Sequence, residues 1–184
     1  FTLCLTLGLI AAVSHFLFGP LRLIQEAVQA GDMVAANKYL KMVQFPKLLI
    51  KPVRQGYYMI KSNIAMNDKN FDEAEGYLKQ SIDSKSSLAG EEFEGASYLQ
   101  LGMLAMQKGD RKEAKRNLKQ ALAKGLPDDD SMAAALLQLS SIEIQGRQLK
   151  QGKEYFKKAK KLKPQSKEIK EQIAQMGKYI SRVR

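Results

Sequence analysis

Side chains capable of catalysis or metal binding are few in this sequence of 184 residues. It has one cysteine, Cys4, and one histidine, His15, so it cannot form an internal disulfide or a zinc site built from several such ligands. It contains no glycine-rich phosphate loop, no HExxH motif and no nucleophile elbow. The sequence therefore predicts a protein without enzymatic activity, cofactor or metal.

The acidic run Asp128-Asp129-Asp130 is the one cluster that resembles a metal-ligand set. It directly precedes Ser131 and a stretch with the apolar periodicity of a helix. Carboxylates at the start of a helix accept hydrogen bonds from free backbone N–H groups and favour the positive end of the helix dipole. We therefore predict that these three residues cap a helix.

Basic side chains are concentrated near the end of the chain, whose net charge is +11. Seven lysines form a basic cluster: Lys150, Lys153, Lys157, Lys158, Lys160, Lys161 and Lys163. Such a cluster either contacts an anionic membrane surface or nucleic acid, or is a solvated face. Only Tyr155 and Phe156 lie among these lysines, so stacking on bases has little support and nucleic acid is not the expected partner.

The first eighteen residues, Phe1 to Phe18, include no charged side chain. As a helix they would extend ~27 Å, close to the ~30 Å hydrocarbon core of a bilayer. We predict that residues 1–19 form a transmembrane anchor, with a cleaved signal peptide or a buried core helix as alternatives. Basic residues outnumber acidic ones just after this segment, which favours a single-pass membrane protein with its remaining residues on the cytoplasmic side.

Three stretches, beginning at Gly56, Ala96 and Ala134, share one pattern. Each has an apolar-periodic helix, a short polar turn and a second helix. In the second helix a small residue precedes a large apolar one by four positions: Ala74 and Leu78, Ala114 and Leu118, Gly152 and Phe156. Small residues let two helix axes approach closely, and stacking of successive pairs makes the core continuous.

This pattern resembles the tetratricopeptide repeat family. The best-matching stretch has Tyr98, Leu101, Gly102, Gly109, Ala114, Leu118 and Ala121, with Pro127 one place late. The first stretch departs from the family pattern, with Lys61-Ser62 where Leu-Gly is expected. A weaker copy precedes it, with Leu23, Ala27, Gly31, Ala36 and Leu40.

The resemblance implies an all-α fold, a right-handed superhelical stack of helix pairs. Residues 20–55 would form a degenerate first pair and residues 56–164 three repeats. Residues 165–184 are expected to form a basic capping helix, because Ile169, Ile173, Met176 and Ile180 recur at helical spacing.

In the resembled family, the first helices of the pairs line a groove that binds partners. Carrying those positions over gives Met59, Asn63, Met66, Leu99, Gln100, Met103, Met106, Leu137, Gln138 and Ser141. Some members grip a peptide carboxylate there, but of that clamp only Asn63 is present.

A groove rich in methionine suits an apolar or amphipathic segment, because methionine repacks around varied shapes. The alternative is that Met103 and Met106 only pack against adjacent helices. The expected function is a membrane-tethered, non-enzymatic scaffold or assembly factor whose protein partners are subunits of a membrane complex. The alternative is a basic module that docks on an anionic membrane surface or nucleic acid.

Overall fold

The structure is a computed structural model that describes residues 22–84 and 91–182. Both ranges are all-α and contain no strand, which confirms the all-α part of the predicted fold. Within them, none of the helices combines the length and the apolar character that crossing a bilayer requires. The predicted anchor, residues 1–19, lies outside the described residues.

The described helices form pairs, and a short turn joins the two helices of each pair. They are α1 (residues 22–29), α2 (Met33–Leu40), α3 (Lys51–Asn67), α4 (Phe71–Asp83), α5 (Glu91–Gln107), α6 (Arg111–Lys124), α7 (Asp129–Gln145), α8 (Leu149–Lys161) and α9 (Lys167–Arg182), with a short 3₁₀ turn at Pro46–Leu48. The most extensive contacts join α3 to α4, α5 to α6 and α7 to α8. Helices α4 and α5, and helices α6 and α7, then join one pair to the next.

Two of the turns within pairs have the same Gly-Asp sequence. Gly31 and Gly109 have φ angles of 73° and 80°, a left-handed conformation that glycine adopts without a steric penalty. The next residue, Asp32 or Asp110, caps the second helix by accepting a hydrogen bond from a backbone N–H three residues later, at 2.9 Å in both cases. The similarity between these two turns in the sequence therefore corresponds to one shared local structure.

The other two turns place a side chain in the same left-handed conformation. Lys69 and Arg147 have φ angles of 60° and 61°. For a residue with a Cβ atom this conformation costs ~1–2 kcal/mol, because Cβ approaches the following carbonyl oxygen.

Replacing Arg147 by glycine should therefore raise the free energy of unfolding by about 0.5–1 kcal/mol, after allowance for the greater freedom of glycine in the unfolded chain. Urea unfolding followed by circular dichroism measures this change. Arg147→Ala is the matched control, since it removes the exposed side chain but keeps Cβ. An equal gain in both variants would show that the side chain, and not the backbone conformation, is the cause.

Small residues stand where the two helices of a pair meet. A Cβ atom on Gly102 would lie 2.7 Å from Cγ of Leu118, and one on Gly152 would lie 2.5 Å from Cγ1 of Ile144. Ser140 is fully buried and its hydroxyl donates to the carbonyl oxygen of Gly152 at 2.8 Å. The predicted role of the small residues is thus confirmed, because each close approach leaves no room for a larger side chain.

The core continues from one pair into the next. Leu99 of α5, Leu118 and Ala121 of α6, and Ala135 and Leu139 of α7 belong to one buried cluster. A second cluster joins α3, α4 and α5, and includes Leu78 and Leu104, which are almost fully buried. No single pair could bury both of its faces, so stacking supplies the missing contacts.

An ion pair with a buried carboxylate crosses the boundary between the second and third repeats. Glu143 of α7 is 2% exposed, and its carboxylate is 2.7 Å from Nζ of Lys115 on α6. The equivalent positions of the two preceding first helices hold the small residues Ala65 and Ala105. The repeat pattern gave no reason to expect a carboxylate at this buried position.

Lys61, which departs from the family pattern, packs against aromatic rings. Its Nζ lies 4.5 Å from the ring centroid of Tyr77 and 5.7 Å from that of Tyr57. A cation over an aromatic face is attracted by the ring quadrupole. The neighbouring Ser62 is fully buried and donates to the carbonyl oxygen of Met59.

Helix α9 packs on both helices of the last pair, α7 and α8. Ile169, Ile173 and Met176 contact the cluster that contains Leu136 and Leu137. These apolar residues share one face of α9, which accounts for the spacing seen in the sequence.

The acidic run at residues 128–130 joins the start of α7 to the start of α9. Asp128 caps α7 by accepting from the backbone N–H of Ser131 at 2.7 Å, as predicted. Asp129 and Asp130 act differently, because they accept from the backbone N–H groups of Lys163 and Ser166, both at 2.9 Å. These two carboxylates therefore hold the segment that leads into α9.

Candidate functional site

The first helices of the pairs lie side by side. Gln100 of α5 donates from Nε2 to Oδ1 of Asn63 on α3 at 3.0 Å, and α7 contacts both α5 and α9. We call the accessible side of α3, α5, α7 and α9 the first-helix face. It contains the positions at which the sequence predicted a binding groove.

Two of the predicted amide side chains, Asn63 on α3 and Gln100 on α5, are hydrogen-bonded to each other. Besides its bond to Asn63, Gln100 places Oε1 3.2 Å from the Ser62 hydroxyl, whose one hydrogen is shared with the closer carbonyl oxygen of Met59. Asn63 is exposed and Gln100 is half-buried. A ligand that bonds to Asn63 or Gln100 would therefore compete with an existing side-chain contact.

The predicted apolar residues divide between packing and the surface. Leu99 and Leu137 are 8% and 3% exposed and belong to two core clusters, so packing occupies most of both side chains. The methionines are half-buried: Met59, Met66, Met103 and Met106. Met103 and Met106 contact the cluster that contains Leu99 from its edge, so each presents only part of its side chain to a partner.

A cavity of about 350 Å³ lies between α7 and α9. From α7 it is lined by Leu137, Gln138 and Ser141, all predicted site residues, together with Ile144 and Gln145. None of its lining residues is charged. The cavity is thus a neutral site with an apolar floor and amide or hydroxyl groups at its edges, a combination common in ligand pockets.

The other wall of this cavity comes from α9, which the sequence predicted as a capping helix, with a partner-binding basic helix as the alternative. It contributes Gln172, Gln175, Met176 and Tyr179, and Tyr179 is 51% exposed. These residues recur at spacings of three and four, which places them on one face of a helix. The sequence shows this spacing. It does not show which helix the residues would face, because that depends on how α9 packs against α7.

A larger cavity, of about 470 Å³, lies between α4, α5 and α6. Two lysines in its wall share one carboxylate: Nζ of Lys108 is 2.9 Å from Oε2 of Glu75, and Nζ of Lys79 is 2.6 Å from Oε1 of Glu75. Hydrogen bonds from Lys79 and Lys108 lower the pKa of Glu75, and those to Glu75 and Asp72 raise the pKa of Lys108. The pair between Lys108 and Glu75 connects two repeats, whereas Lys79 and Glu75 both lie on α4, and surface pairs of this kind contribute little to stability.

The seven residues of the basic cluster, Lys150 to Lys163, are all exposed. Over the parts of the chain that the structure describes, none of them forms an ion pair. Tyr155 and Phe156 are half-buried and pack against the cores formed with α7 and α9. The lysines are therefore available to an anion, whereas the two aromatic rings are engaged in packing.

Stacked helix pairs with small residues at their crossings, and with the first helices aligned on one face, define a helical-repeat protein. Two segments, residues 95–123 and 133–166, match the family model of the tetratricopeptide repeat. Over these two segments the chain is similar to the tetratricopeptide repeat, which confirms the predicted resemblance there. A comparison with curated proteins gives no match. Repeats of this family are typically non-enzymatic modules that bind protein partners.

Proposed function

We propose that this protein is a non-enzymatic scaffold that binds a segment of a protein partner on its first-helix face. The cavity between α7 and α9 carries the proposal, because it combines the predicted residues Leu137, Gln138 and Ser141 with a second wall. The partner would be an apolar or amphipathic segment. Its side chains would enter the cavity, and the amides at the edge would bond to its polar groups.

The half-buried methionines extend this surface along α3 and α5. Met59, Met66, Met103 and Met106 can change rotamer at low cost, so they accommodate different apolar shapes. Neither these methionines nor the residues that line the cavity carry a charge, and hydrophobic contacts are not screened by salt. Partner binding should therefore persist at high ionic strength.

The first test is a Ser141→Arg variant, used with a partner purified together with the protein from solubilised membranes. Ser141 is half-buried in the wall of the cavity, so arginine would fill the space and introduce a charge. We expect affinity to fall about tenfold or more, a loss typical of a blocked central pocket. Titration of partner against wild-type and variant protein measures the change.

Lys157→Gln is the matched control, because Lys157 is exposed on α8 and belongs to the basic cluster. A photo-reactive group at Gln175 should attach to the partner, whereas the same group at Lys119 on α6 should not. Unchanged affinity in Ser141→Arg, together with attachment at Lys119, would contradict the proposal.

The proposal includes a membrane tether formed by residues 1–19. Its support is the uncharged stretch Phe1–Phe18, with basic residues after it that favour the cytoplasmic side for the repeats. Subunits of a membrane complex are then the expected partners. Resistance of the membrane-bound protein to alkaline carbonate extraction tests the tether, and complete release would contradict it.

A second candidate function rests on the basic cluster. Its seven exposed lysines would attract an anionic membrane surface, or less favourably nucleic acid because Tyr155 and Phe156 are packed. Salt distinguishes this function from the first, since binding through exposed lysines weakens steeply as ionic strength rises.

A further inference from the structure

The segment between α2 and α3 exposes several large apolar side chains. Met42, Phe45, Leu48 and Ile50 have exposed fractions of 47%, 57%, 67% and 58%. Single apolar residues on a surface are ordinary, but a group of four within nine residues indicates a contact surface. We call these four residues the loop patch.

Packing and hydrogen bonds of neighbouring residues keep the side chains of the loop patch exposed. Leu49, between two members of the patch, is 4% exposed and packs in the core with Ile24 and Tyr57. The backbone N–H of Leu48 donates to Phe45, and Arg54 donates from Nη1 to the carbonyl oxygen of Lys47, both at 3.0 Å. The exposure of Leu48 therefore follows from the anchoring of its neighbour.

The charges around the loop patch have one sign. Residues 38–54 include five basic residues and no acidic one: Lys38, Lys41, Lys47, Lys51 and Arg54. The four lysines are exposed. Two copies of this loop would repel each other, whereas an anionic surface would neutralise the lysines while its apolar interior received the patch.

We infer that the loop patch inserts into the interfacial region of an anionic lipid bilayer. Phe45, Leu48 and Ile50 enter the boundary between headgroups and acyl chains, and the flanking lysines contact the headgroups. The inference extends the proposed tether, because the loop directly follows α1 and α2, the helix pair that comes after Phe1–Phe18 in the sequence. Insertion of the loop patch fixes the orientation of the first helix pair relative to the membrane.

The chain has no tryptophan, so a single Phe45→Trp substitution provides a fluorescent reporter without background. The full chain would be reconstituted in phosphatidylcholine vesicles with and without phosphatidylserine, and quenched by brominated lipids or by acrylamide. Phe93→Trp is the matched control, because Phe93 is 46% exposed on α5. In vesicles with phosphatidylserine we expect brominated lipids to quench the reporter at 45 roughly fivefold more than the one at 93.

Replacing Lys41, Lys47 and Lys51 by glutamine should remove most of this difference. Flotation of the chain with vesicles reports the tether separately. If the chain floats but the reporter at 45 is as accessible to acrylamide as the one at 93, the inference is overturned and the tether stands. Protection from acrylamide without quenching by lipid would show that protein covers the patch, which also overturns it. A chain that does not float contradicts both.

Discussion

Replacing Gly95 by alanine should lower the free energy of unfolding by about 3 kcal/mol or more, because there is no space for the added methyl group. A Cβ atom at this position would lie 1.8 Å from the carbonyl oxygen of Gly125 and 3.1 Å from that of Ala121. Both are backbone atoms at the end of α6, so no side-chain rotation relieves the overlap. Urea unfolding followed by circular dichroism measures the loss.

Gly76→Ala is the control for this prediction. Gly76 lies inside α4, and no atom lies within 4 Å of the place its Cβ would take. Alanine there should stabilise the protein by about 0.5–1 kcal/mol through its higher helix propensity. Similar changes in the two variants would mean that α5 and α6 do not meet closely at Gly95.

Replacing Lys115 by methionine should lower the free energy of unfolding by about 3 kcal/mol, since it leaves the Glu143 carboxylate buried without a counter-charge. The pair joins α6 to α7 at 2.7 Å, and the Glu143 side chain is 3% exposed. The double variant Lys115→Met/Glu143→Ala should recover most of the loss. It removes both charges and introduces alanine at position 143, as at the equivalent positions Ala65 and Ala105.

Lys119→Met is the control for the ion-pair prediction, because Lys119 is exposed on the same helix. It should change stability by less than ~0.5 kcal/mol. Losses that simply add in the double variant would contradict the coupling of Lys115 and Glu143, since independent sites are additive and paired ones are not.

The helix pairs were predictable because they depend on local signals. The Gly-Asp turns at residues 31–32 and 109–110 share one short motif, and small residues recur at the matching positions Ala74, Ala114 and Gly152 of the second helices. Each acts within one pair, where the partner helix is only a few residues away in sequence. Periodicity therefore predicted both the all-α class and the resemblance to the repeat family.

The remaining features depend on contacts between distant segments. Asp130 binds the N–H of Ser166, 36 residues later, and α9 supplies Tyr179 to a cavity shared with α7. A repeat pattern describes what the pairs have in common, so it misses a carboxylate such as Glu143 that occurs in only one of them. Three of the candidate site residues line the cavity, but Leu99 is drawn into the core by its neighbours.

The order of helix contacts has a mechanical consequence. Helix α2 contacts α3, whereas α9 contacts α7 and α8, so the two ends of the stack share no helix. In an array of neighbour-to-neighbour contacts, local opening at one end leaves the distant units folded. A load applied through the first helix pair would open that pair before it deformed the cavity between α7 and α9. A force on the first helix pair would thus open that pair without displacing a partner bound between α7 and α9.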